Sequence, residues 1–472
     1  MSPAKPARAS EHDLAAAIAA TKIVTLPIDQ LKPCARNART HSRKQVRQIA
    51  DSIARFGFTN PVLIDDSDMI LAGHGRVEAA KLLGLKTVPC IRFSSMSEAE
   101  KRAYSLADNK LALNAGWDEE ILAGELELLL ADVGEIDVSL TGFSVAEIDV
   151  LIDGGETGSA ADESDDAIPP PSPVPVTRLG DVWLLGEHRL VCGDAHDDAP
   201  YELLMSGRAR ERELAQMVFT DPPYNVRIAG NVSKSERIGH REFVMASGEM
   251  SPDEFRRFLT GTLERLAAWS ADGSIHYICM DWRHMDDLSA AGRAVYDELK
   301  NLIVWVKDNG GMGSFYRSRH ELVFVFKNGT APHINAFELG QNGRTRTNVW
   351  NYRGISSSTK SAREDLALHP TVKPVAMVAD AMKDCSRRGG IVLDPFCGSG
   401  TVLIAAQKTG RRARAIELDP IYCDTAIRRW QAFAKDDAIL ESTGETFDAR
   451  QAAMAAPSPQ GSPDENEKGA SS

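Results

Sequence analysis

One stretch of the sequence carries residue types suited to chemistry on a planar amine. The apolar run 218–220 stops abruptly at Asp221-Pro222-Pro223-Tyr224. Two prolines cannot continue a sheet ladder, so we expect a strand to end at Asp221 with Tyr224 in the loop beyond it. In open α/β sheets this edge is where ligands bind. A carboxylate, closely spaced carbonyls and a flat ring suit a group with an exocyclic amine, whereas the tetrapeptide alone also fits an ordinary turn with a core tyrosine.

A second stretch, far downstream, has the character of a ligand cradle. Residues 391–394 form an apolar run ending in Asp394, and a turn containing Phe396, Gly398 and Gly400 leads into a helix-like segment. The two glycines would let a ligand approach the backbone beside a helix N-terminus. The spacing matches neither a P-loop nor Gly-x-Gly-x-x-Gly. Glu417 ends the next short strand, about where nucleotide-binding α/β folds place a carboxylate for ribose hydroxyls.

Three motifs in a fixed order carry a family resemblance. The order Asp221–Tyr224, then His369-Pro370-Thr371-Val372-Lys373-Pro374, then Asp394–Gly400 resembles the permuted beta class of amino-group DNA methyltransferases, over about residues 177–433. The resemblance implies a Rossmann-like α/β fold with a mostly parallel sheet, and S-adenosyl-L-methionine as cofactor. It makes Asp221, Pro222, Pro223 and Tyr224 the catalytic residues. It assigns cofactor binding to Asp394, Phe396, Gly398, Gly400, Glu417, Asp194, Lys373 and Pro374.

Two of these assignments have ordinary alternatives that the sequence leaves open. Asp194 ends a predicted hairpin and could cap the next helix instead of approaching the adenine of the cofactor. Pro374 could simply start a helix, a position that proline favours. Cys397 lies in the cofactor turn, and we do not expect it to act as a nucleophile.

The reaction follows from the chemistry of a paired base. An exocyclic amine in a duplex is reachable only after the base is flipped out of the stack. Tyr224 would stack on that base while Asp221 and the Pro222 carbonyl accept the amine hydrogens, so that positioning and electrostatics carry the catalysis. By resemblance, Asp at the first motif position implies methylation of adenine N6, with cytosine N4 as the alternative. The resemblance also implies a role in restriction-modification.

The N-terminal part has its own candidate site for phosphate. Short strands and an amphipathic helix precede Gly73-His74-Gly75-Arg76, which leads into a helix. This arrangement resembles the ParB-like domain, a small α+β domain, over about residues 23–115. The resemblance implies nucleotide or phosphate contact by Asn37, Arg39, His74 and Arg76, although the partition proteins have a more basic motif here. An inert or DNA-positioning accessory domain is the alternative, and we expect no helix-turn-helix module after it.

Composition divides the chain into five segments. We expect a disordered arm at 1–22, a ParB-like domain with a helical appendage at 23–152, and a solvated acidic, proline-rich linker at 153–176. A methyltransferase domain at 177–433 would follow, with a mobile loop near 227–248 and a target-recognition region at about 328–368. Residues 434–472 lose their periodicity, so we predict a disordered tail.

The net charge of −13 argues at first against nucleic acid. Between Lys300 and Lys373, however, eleven basic residues stand against five acidic ones. A basic segment is usually a solvated face, but its place between the two motifs favours duplex DNA. We therefore predict phosphate and base-edge contacts by Arg344, Arg346 and Arg353.

Composition also bounds the alternatives. The 472 residues contain no apolar run of eighteen, no signal pattern, and seven cysteines without Cys-x-x-Cys spacing. These features predict a cytoplasmic protein acting with DNA, away from membranes, with reduced thiols and no metal site. A homodimer is left open. So are RNA or protein methylation, and a ParB-like nucleotide- or DNA-binding regulator with an accessory methyltransferase domain.

Overall fold

The computed structural model describes residues 22–94, 96–131, 136–153, 164–172, 174–206, 212–226, 248–308, 310, 315–336, 346–354 and 372–455. The chain divides into two compact units, Met1–Ile152 and Asp153–Ser472. Residues 1–21 of the predicted arm, residues 227–247 of the predicted loop and residues 456–472 of the predicted tail lie outside the described residues. No helix in the described part is both long and apolar enough to cross a membrane.

The first unit is built on a four-stranded mixed sheet in the order β1-β4-β2-β3. Its strands are β1 (Ile23–Pro27), β2 (Val62–Asp65), β3 (Ile70–Ala72) and β4 (Thr87–Phe93), and its helices are α1 (Arg43–Phe56), α2 (His74–Leu82), α3 (Glu98–Asn114), α4 (Glu119–Ala131) and α5 (Val145–Ile152). Val62, Ile64 and Val88 alternate into a small apolar core with Val77 of α2. The small α+β domain predicted for this part is confirmed.

A second, smaller core joins the last two helices of this unit. Leu126 of α4 and Ile148 of α5 pack with Val138, which lies in a 3-10 turn between the helices (Val138–Thr141). Two helices packed around a shared apolar cluster account for the helical periodicity of the sequence here.

The second unit contains one ten-stranded sheet in the order β11-β9-β10-β8-β7-β12-β13-β6-β5-β14. The strands are β5 (Val182–Leu185), β6 (His188–Cys192), β7 (Ala215–Thr220), β8 (Ser270–Met280), β9 (Glu298–Val306), β10 (His320–Lys327), β11 (Val349–Asn351), β12 (Ile391–Asp394), β13 (Arg412–Glu417) and β14 (Ile439–Leu440). The central strands from β8 to β6 run parallel, and β10 is antiparallel to both of its neighbours. The predicted α/β fold with a mostly parallel central sheet is confirmed.

Helices contribute to apolar clusters on both sides of this sheet. They are α6 (Asp198–Leu204), α7 (Pro252–Ala268), α8 (Met285–Val295), α9 (Val375–Cys385), α10 (Thr401–Thr409), α11 (Pro420–Ala434) and α12 (Phe447–Ala455). One cluster takes side chains from α9 to α12, and the other from α6 to α8. Because β12 is buried at all four residues, it reads as a continuous apolar run without alternation.

The prediction of a solvated linker at 153–176 is wrong for part of its described residues. Asp165 is buried and pairs with Lys408 at 2.5 Å. One oxygen of Asp166 accepts a hydrogen bond from the backbone N–H of Val375 at 2.9 Å. The acidic composition suggested a solvated segment because a sequence shows which residues are charged but not which groups pair with them. A buried carboxylate is tolerated once it is paired.

The prediction of disorder from residue 434 onward is wrong as far as Ala455. Strand β14 pairs with β5, and α12 follows it. Phe447 is buried and meets the ring of Trp183 edge to face, with centroids 5.4 Å apart. Ala438, Leu440 and Phe447 anchor this segment in the apolar core. Three apolar residues are too few to show as periodicity in the sequence.

Candidate active site

Four acidic residues meet at one edge of the large sheet. Asp221 follows β7, Asp394 ends β12 and Glu417 ends β13, while Asp194 comes two residues after β6. These four strands are parallel neighbours, so their carboxyl ends lie side by side. The edge that the sequence assigned to ligands therefore collects the predicted catalytic and cofactor residues in one row.

The Asp221 carboxylate is engaged by its own motif. The hydroxyl of Tyr224 donates to Oδ1 of Asp221 at 2.6 Å, and the ring packs against both apolar clusters of the sheet. Burial raises the pKa of Asp221 above its ordinary value, with Lys373 opposing and Glu321 adding to the shift. Pro222 is buried and Pro223 half-buried, which holds the loop that carries these groups.

A lysine and a glutamate complete this cluster. Nζ of Lys373, a side chain only 5% exposed, lies 2.5 Å from Oδ2 of Asp221 and 3.2 Å from Oε2 of Glu321. Glu321, near the start of β10, also pairs with Lys307 just after β9. The Tyr224 hydroxyl lies 3.4 Å from Oε2 of Glu321. Two carboxylates and two ammonium groups therefore form one nearly neutral, largely buried network.

The charges in this network stabilise one another. Burial would raise the pKa of Glu321, but Lys373 and Lys307 lower it to about 2. Burial would lower the pKa of Lys373, but Asp221 and Glu321 hold it above the ordinary value for a lysine. Both groups are therefore ionised at neutral pH, which is the condition under which burying them is tolerable.

The glycine turn forms the predicted cradle beside this cluster. Gly398 and Gly400 have φ values of +53° and +84°, which side chains rarely adopt, and Gly400 caps α10. A Cβ built on Gly398 would meet nothing within 4 Å, whereas one on Gly400 would lie 3.0 Å from Cβ of Ala426. Gly398 thus faces open space, while Gly400 allows close packing against α11.

The acids of the cradle hold the turn in place. Glu417 accepts hydrogen bonds from the backbone N–H groups of Gly398 at 2.8 Å and Asp419 at 2.9 Å. Asp394 is buried and accepts from the hydroxyl of Thr220 at 2.8 Å. Burial raises the pKa of each of these two carboxyls to about 7. Both acids lie where the sequence placed them.

Asp194 and Phe396 are partly accessible, whereas Cys397 is buried. Asp194 is half-exposed, and its Oδ1 accepts the backbone N–H of His196 at 2.8 Å in a local turn. The N-cap of α6 is Asp197, so the alternative that Asp194 caps the next helix is wrong. Phe396 packs against Phe258 with centroids 6.1 Å apart. Burial raises the pKa of Cys397 well above its ordinary value, so this thiol is unreactive.

Lys373 of the middle motif lies beside Asp221. Its ammonium contacts the Asp221 carboxylate because the segment before α9 passes the end of β7. The assignment of Lys373 to the cofactor pocket stays a prediction. Pro374 is the N-cap of α9, which is the helix-start role that the sequence left open. Residues 369–371 of the motif lie outside the described residues.

The three arginines predicted to contact DNA differ in environment. Arg346 is turned inward, with its Nε 3.1 Å from Asp384 and its Nη1 2.9 Å from the Tyr352 hydroxyl. Its predicted DNA contact is therefore wrong in this structure, because two buried acids of α9 use the guanidinium. Arg353 is 55% exposed and lies 3.5 Å from Asp308 near the same sheet edge. Arg344 lies outside the described residues.

The N-terminal candidate residues come together only in part. The backbone N–H of Cys34 donates to Nε2 of His74 at 3.2 Å, and the turn continues to Asn37, which hydrogen-bonds both backbone groups of Arg39. Burial lowers the pKa of His74, so its ring is neutral near pH 7. The guanidinium of Arg76 instead donates to the carbonyls of residues 60 and 61, holding that loop against α2.

Three site residues escaped the sequence analysis. Glu321 and Lys307 were counted only as charges of the basic segment, although an acid directly before the apolar run 322–326 was a usable signal. Asn225 clamps the backbone at Gly248 and Met250 with three hydrogen bonds. Its φ of +54° was not readable from sequence. Among the described residues no group of His, Cys, Asp or Glu is arranged to hold a metal ion.

Comparisons with known families agree with this geometry. A family profile described as DNA methylase, covering N6 and N4 enzymes, matches residues 215–428. The ParB N-terminal domain profile matches residues 12–110, and a ParB-methyltransferase HTH domain profile matches residues 120–179. The last match corrects the expectation that no helix-turn-helix module follows the ParB-like domain; α4 and α5 are the helices that it covers.

Individual relatives match each part of the chain separately. The ParB-like nuclease domain-containing protein YnaK of Escherichia coli K12 is 52% identical over 81 residues, which cover 17% of this chain and 93% of that protein. The type II methyltransferase M2.DpnII of Streptococcus pneumoniae is 26% identical over 239 residues, which cover 47% of this chain and 84% of that protein.

A solved structure is similar at a greater distance. The DNA modification methylase TTHA0409 of Thermus thermophilus, complexed with S-adenosyl-L-methionine, is 21% identical, with a TM-score of 0.36, covering 55% of this chain and 96% of that chain. The profile matches, the order of the motifs and the row of acids at the sheet edge all indicate a DNA methylase domain. Residues 215–428 of this chain form a DNA methylase domain of the N6/N4 family, and a ParB-like domain precedes it.

Proposed function

We propose that this DNA methyltransferase methylates the exocyclic N6 of adenine in duplex DNA, using S-adenosyl-L-methionine. The observation that carries the proposal is Asp221: an ionisable carboxylate, not a serine, stands at the end of β7 with Tyr224 beside it. The sequence resemblance associates Asp at this position with adenine. A carboxylate that accepts amine hydrogens favours a nitrogen with an available lone pair.

The cradle fits a nucleoside-type cofactor. Open space at Gly398, the N-terminus of α10 and the acids Glu417 and Asp194 suit a ligand with hydroxyl and amino groups. Phe396 supplies an apolar surface. When bound, S-adenosyl-L-methionine supplies an electrophilic methyl group: the amine nitrogen bonds the methyl carbon, sulfur keeps the electron pair of the broken bond, and the amine loses a proton.

The chain's own residues position the amine and remove its proton. Asp221 and the carbonyl of Pro222 accept the two amine hydrogens, and Tyr224 provides a face on which the flipped base stacks. One hydrogen passes to Asp221 as the proton that the reaction releases. Since no covalent intermediate is needed, the inert Cys397 takes no part.

Duplex DNA would lie along the same sheet edge. The hairpin between β9 and β10 carries an exposed aromatic pair there, Phe315 at 96% and Tyr316 at 78% exposure, with rings 4.6 Å apart. Arg317 follows the pair, and the exposed Arg353 lies 3.5 Å from Asp308, just after β9. Exposed aromatics beside cationic side chains suit stacking on unpaired bases and contact with phosphates.

Single-molecule sequencing tests the reaction, the base and the target together. DNA from cells expressing the chain would be compared with DNA from cells expressing Asp221→Ala. We expect N6-methyladenine in one short sequence context, absent from the variant. If cytosine is modified instead, the target atom is cytosine N4 and not adenine N6. Methylation of RNA or protein by the purified chain would contradict DNA as the substrate.

The N-terminal unit supports a second, separate proposal. Asn37 and His74 lie around one turn at the N-terminus of α2, an arrangement suited to a nucleotide phosphate. We expect nucleotide binding at this turn. Equilibrium dialysis with labelled nucleoside triphosphates, comparing the wild type with His74→Ala, checks it, and equal binding by both proteins would contradict the assignment.

A further inference from the structure

The strongest unassigned feature is the pair of side chains attached to the catalytic carboxylate. Lys373 and Glu321 come from different elements, the segment before α9 and the start of β10, and both reach Asp221 or its motif. Neither carries a role in the proposed reaction so far. Both are largely buried, and buried charges are costly enough that their retention needs an explanation.

Both oxygens of the Asp221 carboxylate accept a hydrogen bond from the protein. Oδ1 accepts from Tyr224, and Oδ2 accepts from Lys373. A target amine that donates to Asp221 must therefore share an oxygen with one of these donors or displace it. Lys373 already lies 3.2 Å from Oε2 of Glu321, so its ammonium has a second anionic partner within reach.

We propose that Lys373 and Glu321 are positioning residues that act through Asp221. Lys373 keeps the Asp221 carboxylate ionised and oriented until the target amine arrives. Glu321 then takes over the ammonium, which leaves Oδ2 free to accept the amine hydrogen and, after methyl transfer, its proton. The inference rests on the proposed function, because it requires an amine as the substrate.

The neighbouring groups fix the direction of each effect. Lys373 is in direct contact with Asp221, while Glu321 and Asp394 are nearby acids and Glu321 is itself held by Lys307. Tyr224 donates to Asp221, and the buried thiol of Cys279 also faces the cluster. Removing the ammonium must make Asp221 harder to ionise, and removing the Glu321 charge must make it easier.

The test is the pH dependence of single-turnover methyl transfer by the full chain, on the DNA that the sequencing identifies. The acid limb is the low-pH side of the rate profile, where the rate rises as Asp221 ionises. In Lys373→Met we expect this limb to move up by about one to three pH units. In Glu321→Gln we expect it to move down by about one unit. The plateau rate of Glu321→Gln should fall about tenfold. Without the Glu321 carboxylate, the Lys373 ammonium has no second anionic partner and stays on Asp221. Lys373→Arg should restore the wild-type limb.

A matched control separates this role from simple loss of packing. Lys383 is another buried lysine paired with an aspartate, Asp153, roughly 12 Å along α9 from its start. Lys383→Met should lower the melting temperature but leave the acid limb in place. If Lys373→Met does not fold, the downward shift in Glu321→Gln still decides the matter.

Three outcomes overturn the inference. Unshifted acid limbs in both Lys373→Met and Glu321→Gln would mean that the network is only structural. Loss of S-adenosyl-L-methionine binding in Lys373→Met, measured by calorimetry, would return this lysine to the cofactor pocket. A wild-type chain that methylates no DNA would remove the proposed function itself, whereas an active wild type with unshifted variants removes this inference alone.

Discussion

The Nζ atom of Lys373 lies 2.5 Å from Oδ2 of Asp221, although 152 residues separate the two in the sequence. The contact forms because the segment leading into α9 passes the carboxyl end of β7. Together with the Tyr224 hydroxyl, it fixes the orientation of the carboxylate before any substrate binds. Groups oriented in advance act mainly on the rate of the chemical step.

Asp221→Asn should therefore slow the chemistry with little effect on cofactor binding. The amide keeps one oxygen acceptor but loses the charge, and we expect single-turnover methyl transfer to fall about 10²- to 10³-fold. Labelled methyl transfer measures the rate, and calorimetry measures cofactor affinity. Asp281→Asn, just after the neighbouring strand β8, is the matched control and should retain the rate. A variant Asp221→Asn with full activity would refute the catalytic assignment.

Gly398→Val should weaken cofactor binding beyond its effect on stability. The φ of +53° is strained for a branched side chain, and the new methyl groups would enter the open space of the cradle. Gly389→Val is a matched control, since Gly389 also has a positive φ, +73°, with no atom near its Cβ position. Both variants should melt earlier, but only Gly398→Val should lose affinity in calorimetry. Equal affinities would place the cofactor elsewhere.

The stability of the ligand-free protein should fall as pH rises towards 7, in part because of Asp394. Burial raises its pKa to about 7, so between about pH 4 and 7 the folded state keeps a proton that the unfolded state has lost. Asp394→Asn lacks this cost and keeps an oxygen for Thr220. The melting temperature of the variant should match that of the wild type near pH 4 and exceed it at pH 8. At pH 8 the free energy of unfolding should be higher in the variant by about 1 to 3 kcal/mol. A pH-independent difference would contradict the raised pKa.

Arg346→Ala and Arg353→Ala should have opposite consequences. Arg346 neutralises two buried acids of α9, so its loss should destabilise the fold by about 3 to 5 kcal/mol. Arg353 is exposed, so its loss should leave stability unchanged and weaken DNA binding, with a smaller dependence on salt. Denaturant unfolding and fluorescence anisotropy at several salt concentrations distinguish them. Unchanged DNA affinity in Arg353→Ala would remove this residue from the DNA interface.

Replacing Phe315 and Tyr316 together with alanine should weaken DNA binding without affecting folding. Both rings are largely exposed, and stacking on a base contributes about 1 to 3 kcal/mol. A DNA substrate carrying 2-aminopurine at the target position should show a smaller fluorescence increase with the variant. Replacement of the exposed Leu203 on α6 provides a control. An unchanged fluorescence response would mean that the pair does not stack on DNA.

Local rules of the chain predicted the parts of the site that local sequence determines. The prolines after Asp221 cannot continue a sheet ladder, and glycine is the residue that most readily adopts the positive φ found at Gly398. The role of Glu321 depends instead on β10 inserting between β9 and β8, a sheet order that no local pattern encodes. Arg346 was misassigned for a related reason. The composition of the segment around it suits contact with phosphates, but its partners Asp380 and Asp384 lie on α9, more than thirty residues further along the chain.

The short strand β14 determines how the sheet ends. It contributes two residues to the outer side of β5, and α12 then places Phe447 over Trp183. A fragment ending at residue 433 would expose the backbone N–H and C=O groups of β5 as an open edge, next to an uncovered indole. Open edges recruit strands from other molecules. The last described segment therefore protects the enzyme against self-association, and shortened versions of the chain should aggregate at concentrations where the full chain remains dispersed.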